Sequence, residues 1–461
     1  GKYGTGSWLQ SGGVTNAGGW VSIGRETSGT GVLTVSGTGS FIQTGTDRGL
    51  VVGELGSGTL NVQGAASVSC LGSTGVIVAN GGTGVGVVNL DGGTLQSVRI
   101  ADGGGNGTFN FNGGKLLAGT GSTPTFMAGL DAAYVKSGGA NIDSNGETIA
   151  IDQALLDGTG GGGLTKTGAG TLSLNGANTY TGATTVNAGT LGGTGSVAGP
   201  LLVSASATLA PGASAGTFTA GATTIAGTYA CEIDGSNCDK LVSNGTLDIS
   251  AATLAITQLA PASGSPLIIA SYTGSAPAPF ATVTGVPSGY TLDYSYGGNS
   301  IALIQTATPY STWINGFTTI PVGDRDPGDD PDGDGVSNIA EFALNGNPAS
   351  GASTGKVVGK VAAVGGNPTL VLTLPVRAGA TFAGTTEQVS ALIDGVIYRI
   401  QGSDQLSTWD LAVSEVLGAD KTTIESSLPA LDSGWTYRTF QSPGSVSGDP
   451  ADFLRAVIES P

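Results

Sequence analysis

Histidine is absent from this chain of 461 residues. That removes the side chain that most often serves as a general base near neutral pH and the commonest nitrogen ligand for metals. Three cysteines and a single methionine leave too few donors for a zinc site of the Cys/His type. Charge is scarce too. Only 11% of residues are Asp, Glu, Lys or Arg, and 16 basic residues face 33 acidic ones, for a net charge of −17. A chain so poor in positive charge has no footprint for nucleic acid or for an anionic membrane surface. No run of about 18 apolar residues occurs, so no membrane-inserting helix is expected. Aromatic residues make up 6%, which disfavours a long ladder of exposed sugar-stacking rings.

What the chain has in excess is glycine, 83 residues, or about 18% against roughly 7% in an average protein. The glycines punctuate a repeat. Ser36-Gly37, Gln63-Gly64, Asp91-Gly92, Asn112-Gly113 and Asn175-Gly176 each follow an apolar–polar–apolar triplet: Leu33 to Val35, Leu60 to Val62, Val88 to Leu90, Phe109 to Phe111 and Leu172 to Leu174. Such a triplet is a short strand with one buried face. A second strand follows each glycine, marked by Phe41, Val68, Leu95 and Leu116. A third precedes the next glycine cluster, at residues 20–23, 50–52, 76–78 and 98–100. Self-similarity every 20–30 residues with three short strands per period predicts a solenoid, and a disordered Gly/Ser linker would show no apolar positions in phase. The expectation is an all-β fold opening with a right-handed parallel β-helix, degenerate over residues 1–160 and more regular over 161–305. At ~25 residues per coil and ~4.8 Å per rung it would have roughly 12 coils. The Pro- and Gly-rich segment within 256–305 is expected to leave regular coil geometry.

The stretch GAGTLSLNGANTYTGATTVNAGTL, residues 168–191, and the following ATLAPGASAGTFTAGATTIAGTYACEIDG and DKLVSNGTLDISAATL resemble the repeat of bacterial autotransporter passengers. The resemblance implies a β-helix displayed outside the cell. That family's translocator barrel has no counterpart here, since no final third carries long amphipathic strands. From Thr167 to Cys231 there is no charged residue, so the solvent face must be Ser, Thr, Asn and Gly.

Residues 310–350 change character: seven acids fall within the eighteen residues from Asp324 to Glu341. Asp330, Asp332, Asp334, Gly335, Val336, Asn338 and Glu341 satisfy the spacing D-x-[DN]-x-[DN]-G-x5-E. A hard cation such as Ca²⁺ takes six to eight oxygens, and this spacing offers carboxylates, a Val336 carbonyl, Asn338 and a bidentate Glu341. A short EF-hand-like calcium loop with one helix, Ser337 to Leu344 stopped by Gly346, is expected. It resembles dockerin and thrombospondin type 3 loops. Asp324, Asp326 and Asp329 could hold a second ion, and the competing reading of the whole segment is a solvated acidic hinge.

Residues 355–461 offer seven candidate strands, at 356–364, 369–376, 396–402, 409–416, 422–427, 436–441 and 453–458, which predict a C-terminal β-sandwich. Residues 398–409 and 453–457 resemble C-terminal domains that follow such calcium loops in large bacterial surface proteins. Trp409 and Trp435 read as packing residues rather than sugar platforms. Cys231 and Cys238 flank EIDGSN and could close a small disulfide; Cys70 alternates with Val68 and reads as buried.

Catalysis has little to stand on. Asp91, Asp102, Asp131, Asp143, Asp152 and Asp157 share no repeat phase and do not neighbour a basic cluster. The chain therefore reads as an extracellular structural subunit in mature form, associating with copies of itself through its ends into filaments. The acceptor edge would be the strand pattern that begins at Ser7-Trp-Leu-Gln. The alternatives are a surface adhesin for glycan or protein and, less favoured, a β-helix polysaccharide-degrading enzyme.

Overall fold

The computed structural model describes residues 1–47, 49–446 and 452–461. It divides into two compact units, Gly1–Thr306 and Ala307–Pro461.

The first unit is a parallel β-helix of about eleven turns with three faces. One face is an unbroken ladder of eleven strands and another a ladder of twelve. The repeat positions stack residue on residue. Leu33 pairs with Leu60, Leu60 with Val88 and Val88 with Phe109; Val35, Val62, Leu90 and Phe111 do the same two residues on. All eight are 3% exposed or less. Phe41, Val68, Leu95 and Leu116 form the second inward column. Leu50, Val76 and Ile100 belong to the third. Gly37, Gly64, Gly92 and Gly113 turn the corner between the first two faces with φ of 59°, 67°, 90° and 88°, a region that L side chains avoid.

The Leu172/Leu174 pair has the same local grammar but a different place. It lies on the third face, registered with Ile149 and Ile151, because an apolar–polar–apolar triplet before glycine describes any strand of the coil. Gly176 is needed for room: a Cβ there would come within 2.8 Å of the Ala154 backbone. Outside the first face the small polar residues also stack. Asn61 donates to Thr34, Asn89 to Asn61 and Asn110 to Asn89 at 2.8–3.1 Å, tying four coils together on the face that carries no apolar column.

The Pro- and Gly-rich segment does end the regular coil. Leu267–Ser271 and Tyr290–Tyr296 both pair antiparallel with Ser300–Gln305, so a hairpin closes this end of the solenoid. One hydrophobic cluster runs from Ile23 to Leu303.

The second unit has two four-stranded antiparallel sheets. One is ordered Val358–Val364, Asn367–Arg377, Trp435–Gln441, Ser414–Glu415, and the other Phe382–Ala383, Gln388–Ser390, Ile397–Ser403, Phe453–Glu459. Leu372, Leu374, Val376 and Phe440 of the first share a core with Val396, Tyr398 and Ile400 of the second. The helix Asn338–Leu344 forms as expected, capped by Ser337, but Asn345 rather than Gly346 takes the left-handed position that ends it, at φ 54°. The helix Pro309–Asn315 was not anticipated, although Thr308 and Ser311 form a capping box around Pro309. The expected strand at 422–427 is instead within the helix Gly418–Glu425. There the Lys421–Glu425 pair at i,i+4 and the buried Ile424 outweigh the β-branched pair Thr422-Thr423. The expected strand at 409–416 is reduced to Ser414–Glu415.

Candidate metal centre and the repeat corner

The acidic loop brings three of its predicted ligands together. Carboxylate oxygens of Asp330, Asp332 and Asp334 lie within 4.8 Å of one another. The loop's own backbone shapes this cluster. Asp330 accepts from the N–H groups of Gly333, Asp334 and Gly335 at 2.9–3.2 Å, and Asp334 accepts from Val336 N at 2.8 Å. Gly335, at φ 88°, makes the reversal. Glu341 enters from the helix. It is 5% exposed, and one of its oxygens accepts from Asn347 N at 3.0 Å. Burial, followed by the neighbouring Asp332, Asp334 and Asp330 carboxylates, pushes its pKa up to about 7 against the pull of the Asn347 hydrogen bond.

Two buried oxygens of this group have no protein partner, Asp332 Oδ2 and Glu341 Oε2; Asn338 Oδ1 is also unpartnered, but its amide faces the Asp324 and Asp326 carbonyls and Tyr310. All belong to the ligand set read from spacing. Buried polar atoms are normally satisfied, and uncompensated oxygens beside clustered carboxylates fit a hard cation. Asn338 carries a second job that spacing alone did not reveal. Its Nδ2 donates to the carbonyls of both Asp324 and Asp326 at 3.0 Å, and its N–H to that of Asp329 at 2.8 Å. The Asp324–Asp329 stretch is thereby strapped to the helix, and the side chain of Asp329 accepts from Asp326 N. Among the described residues, the gathered carboxylates are those of Asp330, Asp332 and Asp334; Asp324, Asp326 and Asp329 do not join them. The segment after the helix, missed in the sequence, borders the site: Glu341, Asp334, Asn347 and Gly351 line one cavity of about 320 Å³. The signal was Gly346, where a Cβ would meet the Glu341 Cβ at 2.9 Å.

The repeat-rich stretch is chemically occupied in another way. Lys166 sits in the second inward column between Ile142 and Val186. It is wholly buried, and its Nζ donates to the carbonyls of Thr167, Gly168 and Ala188 at 2.8–3.1 Å. Asn178 accepts from Leu155 N and donates to Gly176 and Ser196 carbonyls. The Tyr180 hydroxyl shares a 2.6 Å hydrogen bond with Thr184. These polar groups close the coil's own corners.

The six aspartates weighed for catalysis are structural braces. Asp91 accepts from Asn112, Asp102 from Gly104 N, Asp131 from Gly107 N, Asp143 from Asn145 N, Asp152 from Asn175 and Asp157 from Thr181. The expected Cys231–Cys238 bridge is not formed, and all three cysteines are free. The hairpin sets Cys238 opposite Ile233, two residues out of register with Cys231. Cys70 is buried as expected, and burial pushes its thiol up to about 12. Trp409 lies under the Arg455 guanidinium at 3.8 Å, and Trp435 donates to Phe342 O, both as packing groups. Among the described residues no helix is long and apolar enough to cross a membrane.

Against this geometry the comparisons with known proteins are informative. Residues 164–192 match the passenger-associated-transport-repeat. The chain is also 32% identical over 175 residues to the adhesin BmaC autotransporter of Brucella suis biovar 1 (strain 1330). That alignment takes in 32% of this chain and 5% of that protein, so the chain spans a small part of the relative's length. No solved structure matches the chain. The β-helix described above therefore carries a passenger-type repeat, and residues 164–192, the matched segment, contain Lys166, Asn178, Tyr180 and Thr184.

Proposed function

We propose that the chain is a surface-displayed, non-catalytic part of a bacterial passenger-type protein. In this reading the β-helix acts as a rigid scaffold for adhesion, and the second unit is stabilised by Ca²⁺. The observation that carries the reading is the passenger repeat itself, whose polar side chains are consumed in closing coil corners. The similarity to an adhesin autotransporter supports attachment to a glycan or protein as the role, and an extracellular or cell-surface location. The six braced aspartates favour a binding role over hydrolysis. The purified chain, immobilised on beads, should retain host cells or a subset of arrayed glycans above a scrambled-repeat control; no retention on either would remove the adhesin reading.

End-to-end self-association is the second reading. It is favoured by the scarcity of charge on the coils, with no charged residue between Thr167 and Cys231, which leaves little repulsion between copies. Sedimentation velocity at rising concentration would show polymers. A chain that stays monomeric throughout would end this reading.

The cation proposed for the loop is Ca²⁺, held by Asp330, Asp332, Asp334, the Val336 carbonyl, Asn338 and Glu341. Replacing Glu341 by Ala removes the potential bidentate ligand and should weaken calcium binding at least tenfold by calorimetry, about 1.4 kcal/mol. No heat of binding from the intact chain at millimolar calcium would refute the site.

A further inference from the structure

The helix Asn338–Leu344 is a core element of its unit. The Phe342 ring lies 5.5 Å from Tyr310, 5.3 Å from Trp313 and 5.9 Å from Trp435. The Arg377 guanidinium stacks 4.6 Å from Phe342 and 4.1 Å from Trp435, and is held there by Asp394 at 2.7 Å. The carbonyls at the end of the helix are satisfied by the sheets. Phe342 O accepts from Trp435 Nε1, Ala343 O from the Tyr398 hydroxyl and Asn345 O from Lys356 Nζ, at 2.8–2.9 Å. Trp435 belongs to one sheet and Tyr398 to the other. Glu341, the last residue of the calcium loop, is thus one peptide bond from the hub that joins both sheets.

The helix is held very differently on the two sides of the Glu341–Phe342 peptide bond. The Phe342 side is fixed by aromatic packing and donated hydrogen bonds. The Glu341 side buries a carboxylate with an unpartnered oxygen near three clustered aspartates. We infer that calcium in this loop is a folding ligand of the 307–461 unit, acting through Glu341 on the Phe342 hub, and that the β-helix is indifferent to it. The inference rests on the calcium reading above. Without a cation the Glu341 carboxylate stays buried beside three aspartates, and any backbone shift at Glu341 that relieves the repulsion draws Phe342 away from Trp313, Trp435 and Arg377. A ligand that binds only the folded form shifts unfolding by mass action. In the β-helix, by contrast, each of the six aspartates considered above accepts a hydrogen bond and none joins a carboxylate cluster among the described residues, although Asp102 Oδ1 is buried without a partner.

The test is thermal unfolding of the full chain in calcium and in chelator, followed by tryptophan fluorescence, to which Trp313 and Trp435 contribute from the hub, and by circular dichroism of the β-helix. Calcium a hundredfold above its dissociation constant should raise the transition of the 307–461 unit by about 5–10 °C and leave that of the β-helix unmoved. The Glu341→Gln variant should lose the shift. Should that variant fail to fold, hydrogen exchange of residues 338–344 in the unsubstituted protein, slowed by calcium, carries the same test. Calorimetric binding without a shift or a change in exchange overturns the inference and leaves the calcium site standing. Equal shifts in both units overturn the selectivity, and absence of binding overturns inference and site together.

Discussion

Lys166 occupies a rung that its neighbours in the column, Ile142 and Val186, give to apolar side chains. Its methylenes extend that column while the ammonium fills three carbonyl acceptors at the corner. Burial lowers its pKa to about 8, opposed by the charge of Asp143. The sign follows from linkage. Below pH 8 the amine is protonated folded or unfolded, and the desolvation cost is full. Between pH 8 and the unfolded value near 10.5 the unfolded chain holds more protons, so stability should rise with pH. The rise should be cut short from about pH 8.5, where the thiols of Cys70, Cys231 and Cys238, whose pKa values burial pushes up from 9.0, begin to ionise in the unfolded chain while staying protonated in the folded one. Above about pH 10 the buried hydroxyls of Tyr180, Tyr229 and Tyr398, whose pKa values burial pushes up, ionise more readily in the unfolded chain and reverse the trend. The share of the lysine is read as the difference in urea midpoint between the parent and Lys166→Met, which should move in the parent's favour between about pH 8 and 10. The variant should also be less stable at pH 7 by about 1–3 kcal/mol, because three carbonyls lose their donor. A difference that does not change with pH would mean the amine is solvated.

At the level of elements, short-range pattern was readable wherever the deciding contacts are local or repeat. The columns Leu33–Leu60–Val88–Phe109 and Phe41–Val68–Leu95–Leu116 are in the sequence because each coil repeats the same inward residues. The face carrying Leu172 was not, because the triplet is common to all three faces and only the pairing with Ile149 decides. The helix at 418–425 was hidden for a related reason: Ile424 is buried by tertiary contacts that the Thr pair does not announce. The gathering of Asp330, Asp332 and Asp334 was legible from their spacing, yet the burial of Glu341 depends on a later segment around Asn347 and Gly351. The columns also make a graded prediction. Phe111 is fully buried, 4.6 Å from Phe109 and registered with Leu90 and Val135. Phe111→Ala should cost about 3–5 kcal/mol in denaturant unfolding. Leu202, 41% exposed on its strand, should tolerate Thr within about 0.5 kcal/mol. Similar losses at both sites would contradict the assignment of inward and outward positions.

For the molecule as a whole, charge and regularity are distributed unevenly. No charged residue falls between Thr167 and Cys231, while seven acids crowd into Asp324–Glu341. Stacking with neighbour-only contacts makes a solenoid nearly additive in its coils, and the register states where a coil can be removed. Ser57–Val62 pairs one-for-one with both Thr30–Val35 and Val85–Leu90. Excising residues 57–84 would therefore set Leu33 and Val35 against Val88 and Leu90. Phe41 would meet Leu95, Leu50 would meet Ile100, and Thr34 would meet Asn89 in the polar ladder. Every face closes on a residue of the same kind, so the shortened chain should fold cooperatively with a modestly lower unfolding midpoint. Excising 57–70 instead removes two faces and spares the third. Leu50 then still meets Val76, but the strand after Gly56 is replaced by corner residues and the inward alternation is lost. That chain should be degraded rapidly in limited proteolysis while the full-coil deletion resists it. Equal resistance would mean that the register is not what holds the solenoid together.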